Sequence, residues 1–341
     1  MFRVKLLLML EQALRSDQTV LVQLLAAALQ RREPLSGRVD LTAYRLVNAD
    51  ADGLPGMTLD LFDATLVLSL YLELEARDEM ALVKLIADTI QPRAIYIKRR
   101  PREARHAANT EREYLAPETP AWGEPTPELD VLEDGRRFVI RPGGDLSVGL
   151  FLDMRPTRSW LEAKTKGKKI LNAFSYTCGF GLASSLGMAT RTVNLDLSRR
   201  VLDWGEENYR LNHLEPERQD FISGDVFEWL GRMQRWSDRF DALILDPPSF
   251  AKSRLKRFSV SAHYNELVAL AAPVIAPGGT LLACCNHAGL SRSSFLRLIE
   301  SGLREVRREM VGVTSLGADP LDFPTLDGAE AALKVVAIKL D

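Results

Sequence analysis

The chain has 341 residues, 46% of them hydrophobic and 26% charged, with a formal net charge of -2 and 3 cysteines. That content builds a packed core and excludes disorder, and the length suits two domains. The balanced charge excludes a global positive field, so any nucleic acid must meet local basic patches; three cysteines exclude a disulfide framework, and their spacing excludes the usual zinc sites.

At the start, an apolar core of only Leu6 to Leu10 is followed directly by Glu11, too short for an export signal. No apolar run reaches the roughly 18 residues of a spanning helix, so a cytoplasmic chain without membrane attachment is expected. Leu, Val and Ala recurring at threes and fours predict a helix over 6–31. Strands follow at 44–47 and 57–61 around an Asp- and Gly-bearing turn, then a strand at 64–71, a helix at 80–90 and a strand at 94–98. The last leads into Lys98, Arg99, Arg100, Pro101 and Arg102, and a Pro-rich polar stretch over 116–128 reads as a linker or exposed loop. Beyond it, strands at 169–173, 192–195, 220–223, 242–245 and 279–284 alternate with helices, notably at 199–211 and 264–275. Strand-helix alternation of this kind predicts an α/β fold with a doubly wound, mostly parallel, Rossmann-like sheet. The expected organisation is a helical segment over 1–35, a small α/β domain over 36–128 and the larger α/β domain over 129–341.

Chemistry concentrates where these strands end. Asp246-Pro247-Pro248-Ser249-Phe250 follows a buried strand, and carboxyl ends of strands are where open α/β sheets bind ligands. The prolines stiffen the turn, so the Asp246 carboxylate and Pro247 carbonyl form a fixed pair of acceptors suited to a nucleobase edge. An ordinary strand-to-loop stop is the plain alternative. After the strand at 169–173, Gly179 and Gly181 let backbone amides approach a ligand at a helix start, or simply supply turn dihedrals. Asp196 closes the next strand, where an acid can accept from both ribose hydroxyls, and Asp225 closes the third, facing an adenine amino group. Both acids could instead cap the helices that follow them. Three acids on one rim, without a Gly-x-x-x-x-Gly-Lys phosphate loop, favour a nucleoside without phosphates; S-adenosylmethionine fits. A nicotinamide oxidoreductase is a rival, because Gly179, Gly181 and Asp196 imitate its fingerprint, but Ser184 stands where a glycine or alanine belongs.

With these residues in place, the chain resembles the class I, S-adenosylmethionine-dependent methyltransferases of large-subunit ribosomal RNA, nearest to the group that forms 5-methylcytosine in 23S rRNA. The resemblance covers roughly residues 20–341. It is carried by the run from Tyr44 to Gly56, by Gly149-Leu-Phe-Leu-Asp-Met-Arg155 with Arg158, and by Asn172-Ala-Phe-Ser-Tyr-Thr-Cys-Gly-Phe-Gly181. Asn194-Leu-Asp-Leu-Ser198 with Asn208 and Asn212, Gly224-Asp225-Val226-Phe227 and the Asp246 motif complete it. The resemblance implies that Phe174, Asp196, Asp225 and Asp246 contact the cofactor or the target base. It also makes Asn172, Tyr176, Gly179, Gly181, Leu197 and Val226 cofactor contacts, with Phe151 and Asp153 closing the entrance. Arg155 is then an RNA contact, although Arg155 and Arg158 could equally pair with acids. Relatives of this type usually begin with a small RNA-binding barrel, for which there is too little chain before residue 20; RNA affinity is then expected from basic patches, above all Lys252, Arg254, Lys256 and Arg257 beside the Asp246 motif.

Forming 5-methylcytosine requires a thiolate to add to carbon 6 so that carbon 5 becomes nucleophilic. In the resembled group that cysteine follows the fifth strand; here a gapless match puts Asn286 at its place and Cys285 one residue early. A one-residue slip changes faces on a strand, unless a bulge restores it. The leading expectation is methylation of cytosine carbon 5 through Cys285. The alternative is methylation of a guanine ring nitrogen, positioned by Asp246, the Pro247 carbonyl and Asn286, with Cys284 and Cys285 as core residues. A catalytically silent RNA-binding or assembly protein is a further alternative. Ribosomal RNA is the expected partner, and the sequence allows a homodimer.

Overall fold

The computed structural model describes residue 14 and residues 18–100, 112–248, 250–252 and 257–341, and of residues 250–252, 257 and 258 the backbone alone. The opening of the expected N-terminal helix, together with Pro101, Arg102, Ser249, Arg254 and Lys256, lies outside the described residues. No described helix is long and apolar enough to cross a membrane. The chain divides into two compact units. One runs to Leu152 and takes in Asp319–Asp327; the other holds Asp153–Ala318 and Gly328–Asp341.

The first unit is built on a sheet of order β1-β2-β3-β4-β5: β1 (Ala43–Asn48), β2 (Met57–Phe62), β3 (Thr65–Leu70), β4 (Ala94–Arg99) and β5 (Trp122–Gly123). β2 and β3 join through Asp63 and Ala64, with Asp63 at φ 55, a left-handed position Asp tolerates well. β3 and β4 run parallel and therefore need a crossover, supplied by helix α2 (Ala76–Ile90). Its Leu82, Val83, Ile86 and Ala87 pack with Leu59, Leu68, Ile95 and Ile97, and helix α1 (Thr19–Arg31) adds Leu21, Leu25 and Ala28 to the same core.

Two expectations are corrected here. The stretch over 116–128 is no free linker: β5 pairs with β4, and the Tyr96 hydroxyl accepts from the Thr126 amide at 2.8 Å and donates to its carbonyl at 3.1 Å. The units also divide at Leu152 rather than at residue 128, because the hairpin β6 (Leu129–Glu133) and β7 (Arg136–Ile140) is bonded into the first unit. Thr42 donates to the Leu132 carbonyl at 2.8 Å and Gly135 to that of Asp40 at 2.9 Å. Distant chain completes this unit: buried Arg32 grips both Asp52 oxygens at 2.7 Å and the Asp322 carbonyl at 3.1 Å.

The second unit has the sheet order β10-β9-β8-β11-β14-β16-β15. The strands are β8 (Lys169–Ala173), β9 (Arg191–Asp196), β10 (Phe221–Ser223), β11 (Phe240–Leu245), β14 (Ile275–Asn286), β15 (Met310–Leu316) and β16 (Leu333–Leu340). A short hairpin, β12 (Phe250–Lys252) and β13 (Arg257–Ser259), follows β11. β8 to β11 and β14 are parallel, and β16 runs antiparallel between β14 and β15. Helices α3 (Arg155–Lys164), α4 (Gly179–Leu186), α5 (Arg199–Leu211), α6 (Val226–Arg235), α7 (Val260–Ala271) and α8 (Arg292–Glu305) make the connections. The chain winds outward from β8 to β10, then returns to the far side of β8 as β11. That reversal is a topological switch point, where a crevice opens beyond the carboxyl ends of the strands.

Strand alternation sorts the side chains into two cores. Leu171, Leu243, Leu245, Ala283 and Cys285 face one side, and Ile170, Ile244, Leu282 and Cys284 the other. The helix expected over 264–275 begins four residues sooner, at Val260, and stops at Ala271, since Pro273 cannot continue it.

Candidate functional site

The crevice is lined first by the turn between β8 and α4. Phe174, Tyr176 and Cys178 all adopt positive φ (60, 49 and 62), so the left-handed residues of this turn are not its glycines. Gly181 is required for a different reason. A Cβ there would lie 2.0 Å from Asn194 Oδ1 and 2.9 Å from the Tyr209 hydroxyl, so only glycine lets α4 approach β9. Three consecutive alternations into the left-handed region cost conformational energy that surrounding bonds must offset. One is the amide of Tyr176, which donates to Asp196 Oδ2 at 2.9 Å.

Asp196 lies at the end of β9 as expected, and its other oxygen accepts from the Ser198 amide at 2.9 Å. Burial pushes its carboxyl up, and the amides of Ser198, Tyr176 and Leu197 pull it back. Two backbone bonds leave further lone pairs on a carboxylate, which has about four acceptor sites. Leu197, next in line, is 65% exposed, an apolar side chain held out over the rim. Asp225 caps α6, its Oδ1 accepting from the Phe227 amide at 2.9 Å, so the capping alternative is realised. Phe227 meets Phe174 edge-on at 6.4 Å, while Val226 is buried in the core.

Asn172 departs from the expectation placed on it. It is fully buried one residue before the end of β8, where its Nδ2 donates to Asn194 Oδ1 at 2.9 Å and its Oδ1 meets no partner. Asn194 in turn donates to the Tyr209 hydroxyl at 3.1 Å. The strand register explains this, because Asn172 and Asn194 sit directly opposite each other beneath the turn. An Asn-Asn pair under a glycine-bearing turn was the available signal.

On the far side of the switch point, Asp246 leaves β11 with Pro247 buried behind it. Its carboxyl is pushed up to about 7: burial is the main cause, the nearby Asp153 carboxylate adds to it, and the Arg158 guanidinium opposes it. Arg158 is 3% exposed and stands over the Phe180 ring at 5.9 Å. Arg155 is equally buried, which does not suit the surface contact with RNA expected of it; it belongs to the first turn of α3, packed into the unit. Phe151 belongs to the first unit and is 49% exposed. Lys252 and Arg257 end and begin the strands of the β12–β13 hairpin, directly after the Asp246 motif.

The two cysteines of β14 face opposite ways. Cys284 shares the face of Ile244, next to the path of Asp246, and its thiol is driven up by burial and then by Asp246 and Asp153. Cys285 has no exposed surface and packs with Tyr264 and Phe295 on the other face. Burial raises its thiol, while a hydrogen bond from the His287 amide and the Lys334 ammonium lower it. Asn286 ends the strand, exposed, on the face of Cys284. No bulge shifts the register here: pairing with β16 runs without a break from Thr280 to Asn286.

These features fit a nucleoside with an amino-acid tail. A backbone-pinned carboxylate suits ribose hydroxyls, an aromatic pair and an exposed leucine suit a flat base, and a tight turn opens α4. A family model described as S-adenosylmethionine-dependent methyltransferase matches residues 50–339. Ribosomal RNA large subunit methyltransferase I of Aeromonas salmonicida is 32% identical over 296 residues, covering 86% of this chain and 73% of its own. The protein of that name from Photobacterium profundum is 31% identical over 312 residues, covering 90% and 77%. The crystal structure of SMU.776 complexed with SAH superposes with a TM-score of 0.82 at 27% identity, covering 94% of this chain and 81% of that one.

Proposed function

The chain belongs to the S-adenosylmethionine-dependent methyltransferase family, and from that premise we propose that it methylates a base of large-subunit ribosomal RNA. Membership sets aside the oxidoreductase alternative. The names of the relatives support the RNA class, and Asp246, held at a switch point with its carboxyl near neutrality, carries the reading of base chemistry.

Bound S-adenosylmethionine supplies a methyl group on a positive sulfur. This chain's residues hold and orient it. The remaining lone pairs of Asp196 accept from the ribose hydroxyls, and Tyr176 and Leu197 border that sugar. Phe174 and Leu197 cover the adenine, with Asp225 and the Val226 backbone at its edge. The amides from Gly179 to Gly181, at the start of α4, meet the methionine carboxylate, where the helix dipole favours an anion. Across the crevice, Asp246 and the Pro247 carbonyl take the hydrogen-bonding edge of the base. A carboxyl poised near 7 can accept from an amino group when ionised, or donate to a ring nitrogen when protonated. Lys252, Arg254, Lys256 and Arg257 follow as phosphate contacts.

Two acceptor atoms are compatible with this arrangement. Carbon 5 of cytosine needs Cys285 to leave the core and reach the crevice. A guanine ring nitrogen needs only Asp246, the Pro247 carbonyl and Asn286. The burial of Cys285 and the exposure of Asn286 support the second reading. Nucleoside mass spectrometry on unmodified 23S rRNA treated with the protein and S-adenosylmethionine decides between them. A methylated guanosine supports the thiol-free reading, 5-methylcytidine supports Cys285, and cofactor binding without any methylated base supports a silent RNA-binding protein.

A further inference from the structure

Two buried donors sit behind the acceptor half of the crevice, and both bond to backbone where strands end. The ladder between β11 and β14 stops at Leu245 and Ala283. Just beyond, the Tyr264 hydroxyl of α7 lies 3.2 Å from the Leu245 carbonyl and 3.2 Å from the Cys284 carbonyl, bridging the two strands. One hydrogen serves both acceptors, so the hydroxyl is shared between them. Its ring is fixed edge-on to Phe295 at 4.8 Å and has no exposed surface. On the other side of β14, Lys334 stands opposite Cys285 on β16 and is 1% exposed. Its ammonium donates to the His287 and Ala332 carbonyls, each at 2.9 Å.

Packing alone does not call for these groups. β16 is otherwise apolar at its buried positions, and burying an ammonium against neutral carbonyls is costly. Phenylalanine and methionine would fill the same volumes. What the polar atoms add is position: Leu245 precedes Asp246, and the Cys284 and His287 carbonyls flank Asn286. We propose that Tyr264 and Lys334 are positioning residues that fix the distance between the Asp246-Pro247 turn and Asn286, and so the geometry in which the target base is held. The inference rests on the acceptor site proposed above. Neither residue touches substrate or cofactor; each acts through the backbone carbonyls it holds.

The test uses the full chain with Tyr264→Phe, which removes only an oxygen, and Lys334→Met. Methyl transfer to unmodified 23S rRNA is measured alongside calorimetric binding of S-adenosylhomocysteine. Each variant is expected to lose about tenfold in kcat, with KM for RNA and the S-adenosylhomocysteine affinity within twofold of the parent. Amide exchange reads the same strand end without substrate: the amides of Asn286 and His287 should exchange faster in the variants, while those of β8 and β9 stay unchanged. If kcat remains within twofold of the parent in Tyr264→Phe, or if those amides keep their protection, the two donors serve packing and the proposal is overturned. Should the parent itself transfer no methyl group, the exchange result still decides the positioning claim, separately from the substrate claim.

Discussion

The aspartates ending β9 and β10 and the aspartate ending β11 are the same residue type on one rim, yet they live differently. Asp196 accepts from two backbone amides and Asp225 from one, so each is committed to local structure before any ligand arrives. Asp246 is buried near Asp153, with the Arg158 guanidinium opposing, and its carboxyl rises to about 7. On the proposed assignment, the difference teaches that the cofactor half of the crevice is organised by hydrogen bonds, whereas the acceptor half keeps a carboxyl in a state that can change during a reaction.

Removing Asp246 should break that comparison most severely. Asp246→Ala is expected to lower kcat by about a thousandfold, within the range for a positioned acid-base group, while S-adenosylhomocysteine affinity changes less than threefold. Asp196→Ala should act in the opposite column. Losing the ribose acceptor and the tie to Tyr176 is expected to weaken S-adenosylhomocysteine binding by about a hundredfold, as two charge-assisted bonds would, measured by calorimetry. If both variants lost affinity equally, the division into two halves would be wrong.

Stability sharpens the contrast. In the unfolded chain Asp246 titrates near its ordinary value of 3.8, and in the folded chain near 7. Between those values the folded state keeps a proton the unfolded state has lost, so stability falls as pH rises through this window, and the penalty is complete above pH 7. Asp246→Asn should therefore melt higher than the parent at pH 8, with the gap closing towards pH 4. Asp225→Ala should instead cost about 1 kcal/mol at neutral pH through the lost cap of α6, read from urea unfolding. The smallest effect expected is on activity in Cys285→Ala, which should stay within twofold of the parent.

Much of this was legible in the residues. The apolar run Ala242-Leu-Ile-Leu245 before Asp246 marked a parallel strand, because strands covered on both faces lack polar alternation. The acids at strand ends marked the rim. Local residues could not reveal which amides Asp196 and Asp225 would hold, since those bonds depend on turn dihedrals such as φ 49 at Tyr176. The boundary at Leu152 and the return of Asp319–Asp327 to the first unit were hidden for another reason. Arg32 finds Asp322 across 290 positions, a pairing without local periodicity. Lys334 carried a readable sign, a lysine near the start of a strand that is apolar at its other buried positions, but one of its partner carbonyls, that of His287, lies just past another strand's end.

Cys285 shows the limit most sharply. Its nearness in sequence to Asn286 suggested chemistry, while strand parity turned its thiol into the core beside Tyr264 and Phe295. The most direct measurement is nucleoside mass spectrometry of unmodified 23S rRNA after reaction with the parent, Asp246→Ala and Cys285→Ala. The account predicts a methylated guanosine formed by the parent and by Cys285→Ala and absent with Asp246→Ala. A 5-methylcytidine that disappears in Cys285→Ala, or full methylation by Asp246→Ala, would contradict it.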